Sequence, residues 1–355
     1  MKIKLGIIGC GRITEKHCQT INQIDDIEVV ALSDLSDERM KIIKGLLQQD
    51  ELKKIVLYKD YEKLLSHSEI DLVLIATSSG FHCEMAEKAL KSNKHVLVEK
   101  PLTLSLMETK YLTKLAHKQN RKLFVCYQLR YRKLMLAVKD CIEQGLLGKV
   151  FYGVGSIQIT RPQQYYQQAS WRGSWQNDGG MLINQGIHVI DLLLWLIGDL
   201  ERVYGELMRV NEQKETEDIA LALLNFKNGA KGLIEANTVS LPDNVGYSIK
   251  LFAEKGTIII RGKQLDHIER FEIQGKQKVD LDTFLNDRSE HIRMYEAYLK
   301  EIQTGNEPVI VDGAESEKAL EAIYAIYQSA LNKTEVQLPL HNFSSKEMTA
   351  WEKER

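Results

Sequence analysis

The chain has 355 residues, 44% of them hydrophobic and 27% charged, which is the balance of a globular protein long enough for two domains. Lys plus Arg number 47 and Asp plus Glu 49, so a net charge of -2 offers no electrostatic case for nucleic acid or a membrane surface as partner. Cys10, Cys18, Cys83, Cys126 and Cys141 show no close pairing, the opening MKIKLGIIGC has too short an apolar run for a signal peptide, and no apolar run reaches spanning length; a cytoplasmic protein is expected.

From the amino end, Lys2 to Gly9 reads as a buried parallel strand and Ile13 to Gln23 as a helix. IEVVALS, a polar helix, DLVLIAT, a helix from about His82 to Ser92 and HVLVEKP continue the alternation. This βαβαβ pattern predicts an α/β fold whose first domain, residues 1–125, is a doubly wound parallel sheet. Ligands of such sheets lie at the carboxyl ends of the strands.

The first such end is Gly9-Cys10-Gly11-Arg12-Ile13-Thr14, a dinucleotide fingerprint that lacks its third glycine. The glycines let backbone approach a pyrophosphate, and the helix amino terminus supplies N–H groups and partial positive charge. Asp34 closes the second strand 20 residues beyond Thr14, where its carboxylate can accept the ribose hydroxyls. A 2′-phosphate would meet a repulsion of about 4 kcal/mol per charge pair at an effective dielectric near 20, so NAD is expected over NADP. Gly9, Gly11, Arg12, Ile13 and Asp34 are the cofactor candidates here, joined by Thr77, Ser78 and His82 after the next strand. His82 fits a helix cap and a contact with cofactor or substrate equally well.

Farther along, Tyr131 to Gln144 reads as a helix and VFYGVGSIQIT as a strand. A loop rich in arginine and aromatic residues follows, then a helix from Met181 to Leu196 on which Asn184 and His188, four apart, share a face. ERVYGELMRV, IALALLNF, AKGLIEANTV, SIKLFAE and GTIIIRG are strands of a mostly antiparallel sheet, with turns at Asn228-Gly229 and Lys255-Gly256. Residues 126–340 are thus expected to form the second domain, with helices near Arg288–Thr304 and Ala314–Leu331 returning to the first. Residues 341–355 read as a charged, partly mobile tail, and the acidic run Glu212–Asp218 as loop surface. Asp191 reads as a solvated helix carboxylate or a partner of His188. No His, Cys and carboxylate set has metal-ligand spacing, and no metal is expected.

Gly9 to Ile13, Ala76-Thr77-Ser78-Ser79-Gly80-Phe81-His82 and Glu99-Lys100-Pro101 together resemble the glucose-fructose oxidoreductase, inositol dehydrogenase and MocA family (Gfo/Idh/MocA). The resemblance implies a Rossmann domain that binds NAD, then an α/β domain with a large open sheet through which homodimers or homotetramers form. It places Lys100 near the nicotinamide and the reacting hydroxyl. An ammonium partly desolvated beside a cationic ring has its pKa lowered toward proton shuttling, which supports the same role. Glu99 suits orienting either the neighbouring backbone or Lys100. Gly179, Gly180, Gly186 and His188 match the family's G-G-x-x-x-D-x-G-x-H, which makes His188 an acid/base; Asn184 stands where the family has aspartate. Asparagine cannot take a proton, but it can hold a sugar hydroxyl, so proton traffic falls to Lys100 and His188.

Arg161-Pro162-Gln163, Tyr165-Tyr166, Ala169 to Trp175, Asp178 to Gly180 and Asn184-Gln185 resemble the subgroup that oxidises C3 of UDP-N-acetyl-2-amino-2-deoxyglucuronate for bacterial surface-polysaccharide assembly. The residue types agree, because arginine forks bind carboxylates and diphosphates while aromatic faces suit uracil or a pyranose. Arg172 is the candidate for anion recognition, Tyr165 and Trp171 for the pocket wall, with Arg161 beside them. Two alternatives remain at this stage: a dehydrogenase of another sugar, UDP-sugar or inositol, and a non-catalytic sensor of NAD or sugar on the same fold.

Overall fold

The computed structural model describes residues 2–48, 54–275, 282–305 and 309–353. It contains two compact units, and the division is not linear along the chain. The first unit comprises 1–103, 108–131 and 289–316; the second comprises 104–107, 132–288 and 317–355.

In the first unit six parallel strands pair in the order β3-β2-β1-β4-β5-β6. They are β1 (Ile3–Ile8), β2 (Ile27–Ser33), β3 (Val56–Tyr58), β4 (Leu72–Ile75), β5 (His95–Val98) and β6 (Leu123–Val125). β4 and most of β1, β2 and β5 are buried, as continuous apolar runs in a parallel sheet must be. β3 and β6, three residues each, are too short to show a period and were not visible in the sequence. The later helix Glu290–Thr304 belongs to this unit because Met294, Tyr295, Tyr298 and Leu299 enter its core. Tyr298 stacks on Phe124 at 4.4 Å between ring centroids and donates its hydroxyl to Val125 O at 2.8 Å.

In the second unit eight strands pair in the order β13-β12-β11-β7-β10-β9-β8-β14. They are β7 (Val150–Gln158), β8 (Leu200–Met208), β9 (Ile219–Phe226), β10 (Lys231–Asn237), β11 (Gly246–Ala253), β12 (Gly256–Gly262), β13 (His267–Ile273) and β14 (Val336–Gln337). β7 and β10 run parallel and the other neighbours antiparallel. β9 alternates buried with exposed or half-buried side chains, the signature of a sheet covered on one face. The covering element is the helix Ile187–Ile197, which lies against β7. A Cβ at Gly153 would stand 2.3 Å from Ile197 Cδ1, and one at Gly155 2.8 Å from Val189 Cγ1. Glycine at these two places therefore lets the helix that carries His188 approach the sheet.

The helix Gly313–Asn332 lies mainly in this second unit, where Ile326 packs over Gly205. The segment read as a mobile tail folds into a 3-10 turn, Ser345–Met348, and a short helix, Thr349–Lys353. Its anchors are apolar: Phe343 and Trp351 are buried, and Trp351 meets Trp175 edge to face at 6.0 Å. The last two residues of that tail lie outside the described ones.

Candidate active site

At the carboxyl end of β1, Gly9 has φ +95 and a Cβ there would lie 2.6 Å from Ala76 O, so backbone of two strand ends meets where only glycine fits. A Cβ on Gly11 would meet nothing within 4 Å. That open space lies at the amino end of the helix Arg12–Ile21, with Arg12 and Ile13 exposed beside it. Thr14 takes over from the missing third glycine: it is buried, and its hydroxyl donates to Gly9 O at 2.7 Å, closing the turn with a side chain. Asp34 is half-buried, and its carboxylate accepts the Cys10 N–H at 2.7 Å and the Ser36 N–H at 2.8 Å. Arg39 donates to Cys10 O at 2.8 Å and pairs with Glu15 at 2.8 Å, so the nearby guanidinium is already committed. An open cradle at a helix amino terminus with a fixed carboxylate beside it fits a dinucleotide with unmodified ribose hydroxyls.

Thr77 and Ser78 follow β4 half-buried, with Thr77 directly beside Gly9. His82 is 1% exposed; its Nδ1 meets Pro101 O at 2.7 Å and its Nε2 meets Thr77 O at 3.1 Å. Burial holds its pKa below the usual histidine range, so it is a neutral strut between the turn after β4 and the Glu99-Lys100-Pro101 segment. Glu99 accepts the Lys100 N–H at 3.2 Å and meets His17 Nε2 at 2.9 Å; His17 Nδ1 meets the Tyr295 hydroxyl at 2.8 Å. Neither His17 nor Tyr295 was a candidate from sequence, since each reads as an ordinary helix residue until packing places them together. His17, Glu99 and Cys126 form the one buried group among the described residues with donors close enough to share a metal, within 4.8 Å of one another. Both ring nitrogens of His17 already meet protein partners, and burial pushes the Cys126 thiol well above its usual range, against thiolate formation.

In the second unit the arginine and aromatic loop forms a stack. The Arg172 guanidinium lies 4.3 Å from the Tyr165 ring centre and 4.6 Å from that of Trp171, while Arg161 lies 5.0 Å from Tyr165. Arg172 also donates to the Tyr165 hydroxyl, Arg161 donates to Gln185 Oε1 at 2.8 Å, and Gln185 donates to the Tyr165 hydroxyl at 3.1 Å. The Nε atoms of both arginines are buried without an acceptor, and neither guanidinium pairs with a carboxylate among the described residues. Asp178 joins this loop to the following helix, since Asn184 donates to its Oδ1 and the Gly173 N–H to its Oδ2 at 2.7 Å. Residues Leu182–Gly186 form a π turn before the helix Ile187–Ile197 resumes regular geometry. The uniform α-helix expected from Met181 to Leu196 is therefore interrupted between Gly180 and His188, at the site candidate Asn184. Such turns recur at functional sites and re-aim side chains.

Two expectations are corrected here. Asp191 is 1% exposed, not solvated, because its helix is covered on this side too. The run Glu212–Asp218 is loop surface only at its start: Glu212 and Gln213 are exposed, but Lys214, Thr216, Glu217 and Asp218 are buried. Its charges are matched internally, with Lys214 and Asp218 paired at 3.0 Å, while Glu215 accepts the Trp175 N–H at 2.9 Å. Charge matching of this kind cannot be read from composition.

The sheet order of the first unit, its glycine turn and fixed carboxylate, and the second unit's open sheet with the covering helix that carries His188 define a nicotinamide-dependent dehydrogenase. The chain belongs to the Gfo/Idh/MocA oxidoreductase family: residues 3–127 match its NAD-binding Rossmann fold and residues 139–338 its C-terminal alpha/beta domain. It is an NAD-dependent dehydrogenase of sugars or polyols. A WlbA dehydrogenase from Bordetella pertussis, solved with NADH and UDP-GlcNAcA, is 30% identical with a TM-score of 0.86, covering 96% of this chain and 100% of that one. A second WlbA dehydrogenase, from Chromobacterium violaceum and with the same two ligands, is 28% identical with a TM-score of 0.87, covering 96% of each chain. A myo-inositol 2-dehydrogenase of Thermotoga maritima is 27% identical over 346 residues, 95% of this chain and 98% of that one.

Proposed function

We propose that the protein oxidises C3 of UDP-N-acetyl-2-amino-2-deoxyglucuronate to a 3-keto nucleotide sugar for bacterial surface-polysaccharide synthesis. The observation that carries this reading is the pair of guanidiniums at Arg161 and Arg172, without carboxylate partners and stacked on Tyr165 and Trp171. Two half-buried guanidiniums with buried Nε atoms and no carboxylate partner suit an anionic ligand, and the aromatic faces beside them suit a base or pyranose. The nucleotide sugar solved with both WlbA dehydrogenases has that chemistry.

Bound NAD supplies the acceptor for the hydride leaving C3. Gly9, Gly11, Arg12, Ile13, Asp34, Thr77 and Ser78 hold it, and His82 and Glu99 keep the adjoining segments in place. Lys100 or His188 takes the C3 hydroxyl proton as the carbon–oxygen double bond forms, while Asn184 holds a sugar hydroxyl by donating and accepting. The protein works in the cytoplasm, and among the described residues no helix is long and apolar enough to cross a membrane. It pairs with further copies through the outer face of the second sheet, where Tyr204, Leu221, Leu223 and Phe252 are exposed; light scattering of the purified protein tests this.

A specific observation favours a second reading, since the full-length inositol dehydrogenase relative acts on a neutral polyol. Single-turnover reduction of NAD by stoichiometric enzyme separates the two. Reduction with UDP-N-acetylglucosaminuronate, and none with UDP-N-acetylglucosamine or myo-inositol, supports C3 oxidation of the uronate. Reduction only with a neutral compound replaces the substrate, and tight NADH binding with no reduction by any sugar supports the sensor.

A further inference from the structure

The helix that carries Asn184 and His188 begins with a π turn whose preceding residue, Met181, provides no side-chain cap. The first N–H groups of a helix have no partner within it, and a buried helix end needs one from elsewhere. Here it comes from a residue 35 positions away: the Leu182 N–H donates to Glu217 Oε1 at 2.9 Å. The same oxygen accepts the Tyr327 hydroxyl at 2.6 Å. Glu217 is completely buried, and its other oxygen has no partner and points at Gly180, where a Cβ would stand 2.7 Å from it. Tyr327 is held in turn edge to face by Trp175, at 5.3 Å. A carboxyl brought into a core with one oxygen unsatisfied is costly, so a core that keeps it needs the two bonds it makes.

We propose that Glu217 is a positioning residue: from outside the helix it caps the amino end of the π turn at Leu182 and so sets the direction in which Asn184 and His188 project. The consequence for catalysis rests on the reading that these two side chains meet the sugar. Gly180 follows from the same arrangement, because any side chain there would enter the space that Glu217, Tyr327 and Trp175 occupy. The second glycine before the π turn is thus required in part by a buried acid that the motif does not contain.

Hydrogen–deuterium exchange on purified full-length protein tests the cap without any substrate. In Glu217→Leu, exchange across residues 181–188 should accelerate about tenfold or more, while β9 and the first unit keep wild-type protection. Glu217→Gln, whose side-chain carbonyl can accept both bonds, should stay near wild type. Unchanged exchange at 181–188 in the leucine variant overturns the proposal, as does an equal loss of protection everywhere, which would mark general destabilisation. Should the leucine variant not fold, Glu217→Asp, one methylene short of Leu182, gives the same comparison: faster exchange at 181–188 supports the cap and wild-type exchange overturns it. The kinetic arm expects kcat with UDP-N-acetylglucosaminuronate to fall about tenfold or more in Glu217→Leu, with NADH affinity unchanged and activity restored by glutamine. His188→Ala separates the two readings: if it turns over like wild type, the role given to His188 fails, while the exchange result still decides on Glu217.

Discussion

Gly180→Ala should destabilise the second unit well beyond an ordinary glycine replacement, and the structure indicates by how much. Gly180 has φ +101, where an L-residue carries a strain of about 1–2 kcal/mol. Its new methyl would also stand 2.3 Å from the Tyr327 hydroxyl, 2.7 Å from Glu217 Oε2 and 2.8 Å from Trp175 Cζ3. Those atoms belong to fully buried side chains that have no free direction in which to move, and overpacking of this kind costs about 1–3 kcal/mol. The sum, about 2–5 kcal/mol, corresponds to a fall in apparent Tm of about 4–20 °C at 2–4 °C per kcal/mol. Gly145→Ala is the control: φ is +67 there, but a Cβ would meet nothing within 4 Å, so only the strain contribution remains. Thermal unfolding of both variants by circular dichroism checks the reasoning. A Tm for Gly180→Ala no lower than that of Gly145→Ala would show that the crowding around Glu217 does not exist in solution.

Lys100→Met should lower kcat by about 100-fold or more, the scale of a lost acid/base group, with NADH affinity by fluorescence titration unchanged; wild-type turnover would remove Lys100 from the proton path. Arg172→Ala should raise KM for the uronate about 10-fold to 100-fold, the scale of a lost charged hydrogen bond, and an equal effect on a neutral UDP-sugar would remove the arginine from anion recognition. Asp34→Asn should narrow the preference for NAD over NADP in paired KM measurements, and an unchanged ratio would place the selectivity elsewhere. Burial raises the Glu217 carboxyl to about 7 from an ordinary value near 4.5, so its protonated form favours the folded state. That contribution is complete below pH 4.5 and is lost as pH rises through 7, a change of roughly 3 kcal/mol for a shift of this size. Glu217→Gln cannot ionise, and its apparent Tm should fall less than that of wild type between pH 5 and 8; parallel profiles would place the titration elsewhere.

Much of the first unit is legible along the chain because its signals are local. A buried parallel strand such as β4 is a continuous apolar run, and a glycine turn before a helix announces a phosphate cradle wherever it occurs. The second sheet shows itself by alternation, most plainly in β9. The short strands β3, β6 and β14 do not, because two or three residues carry no period and they owe their existence to neighbours already in place. Charge misled where it was matched inside the fold, as at Lys214 and Asp218, and the terminal segment misled because its few apolar side chains decide its fate.

For the candidate site the division is similar. The residue types, their order and the glycine spacing already point to a nicotinamide enzyme with anion-binding side chains, since those chemistries depend on which groups are present and on short-range backbone geometry. Packing alone decided that Thr14 closes the cofactor turn, that His17 and Tyr295 stand behind Glu99, and that Glu217 caps the turn before His188. Each of these is a hydrogen bond whose cost of burial is met only by a partner brought close in the folded chain, and in the last two cases that partner is distant in sequence.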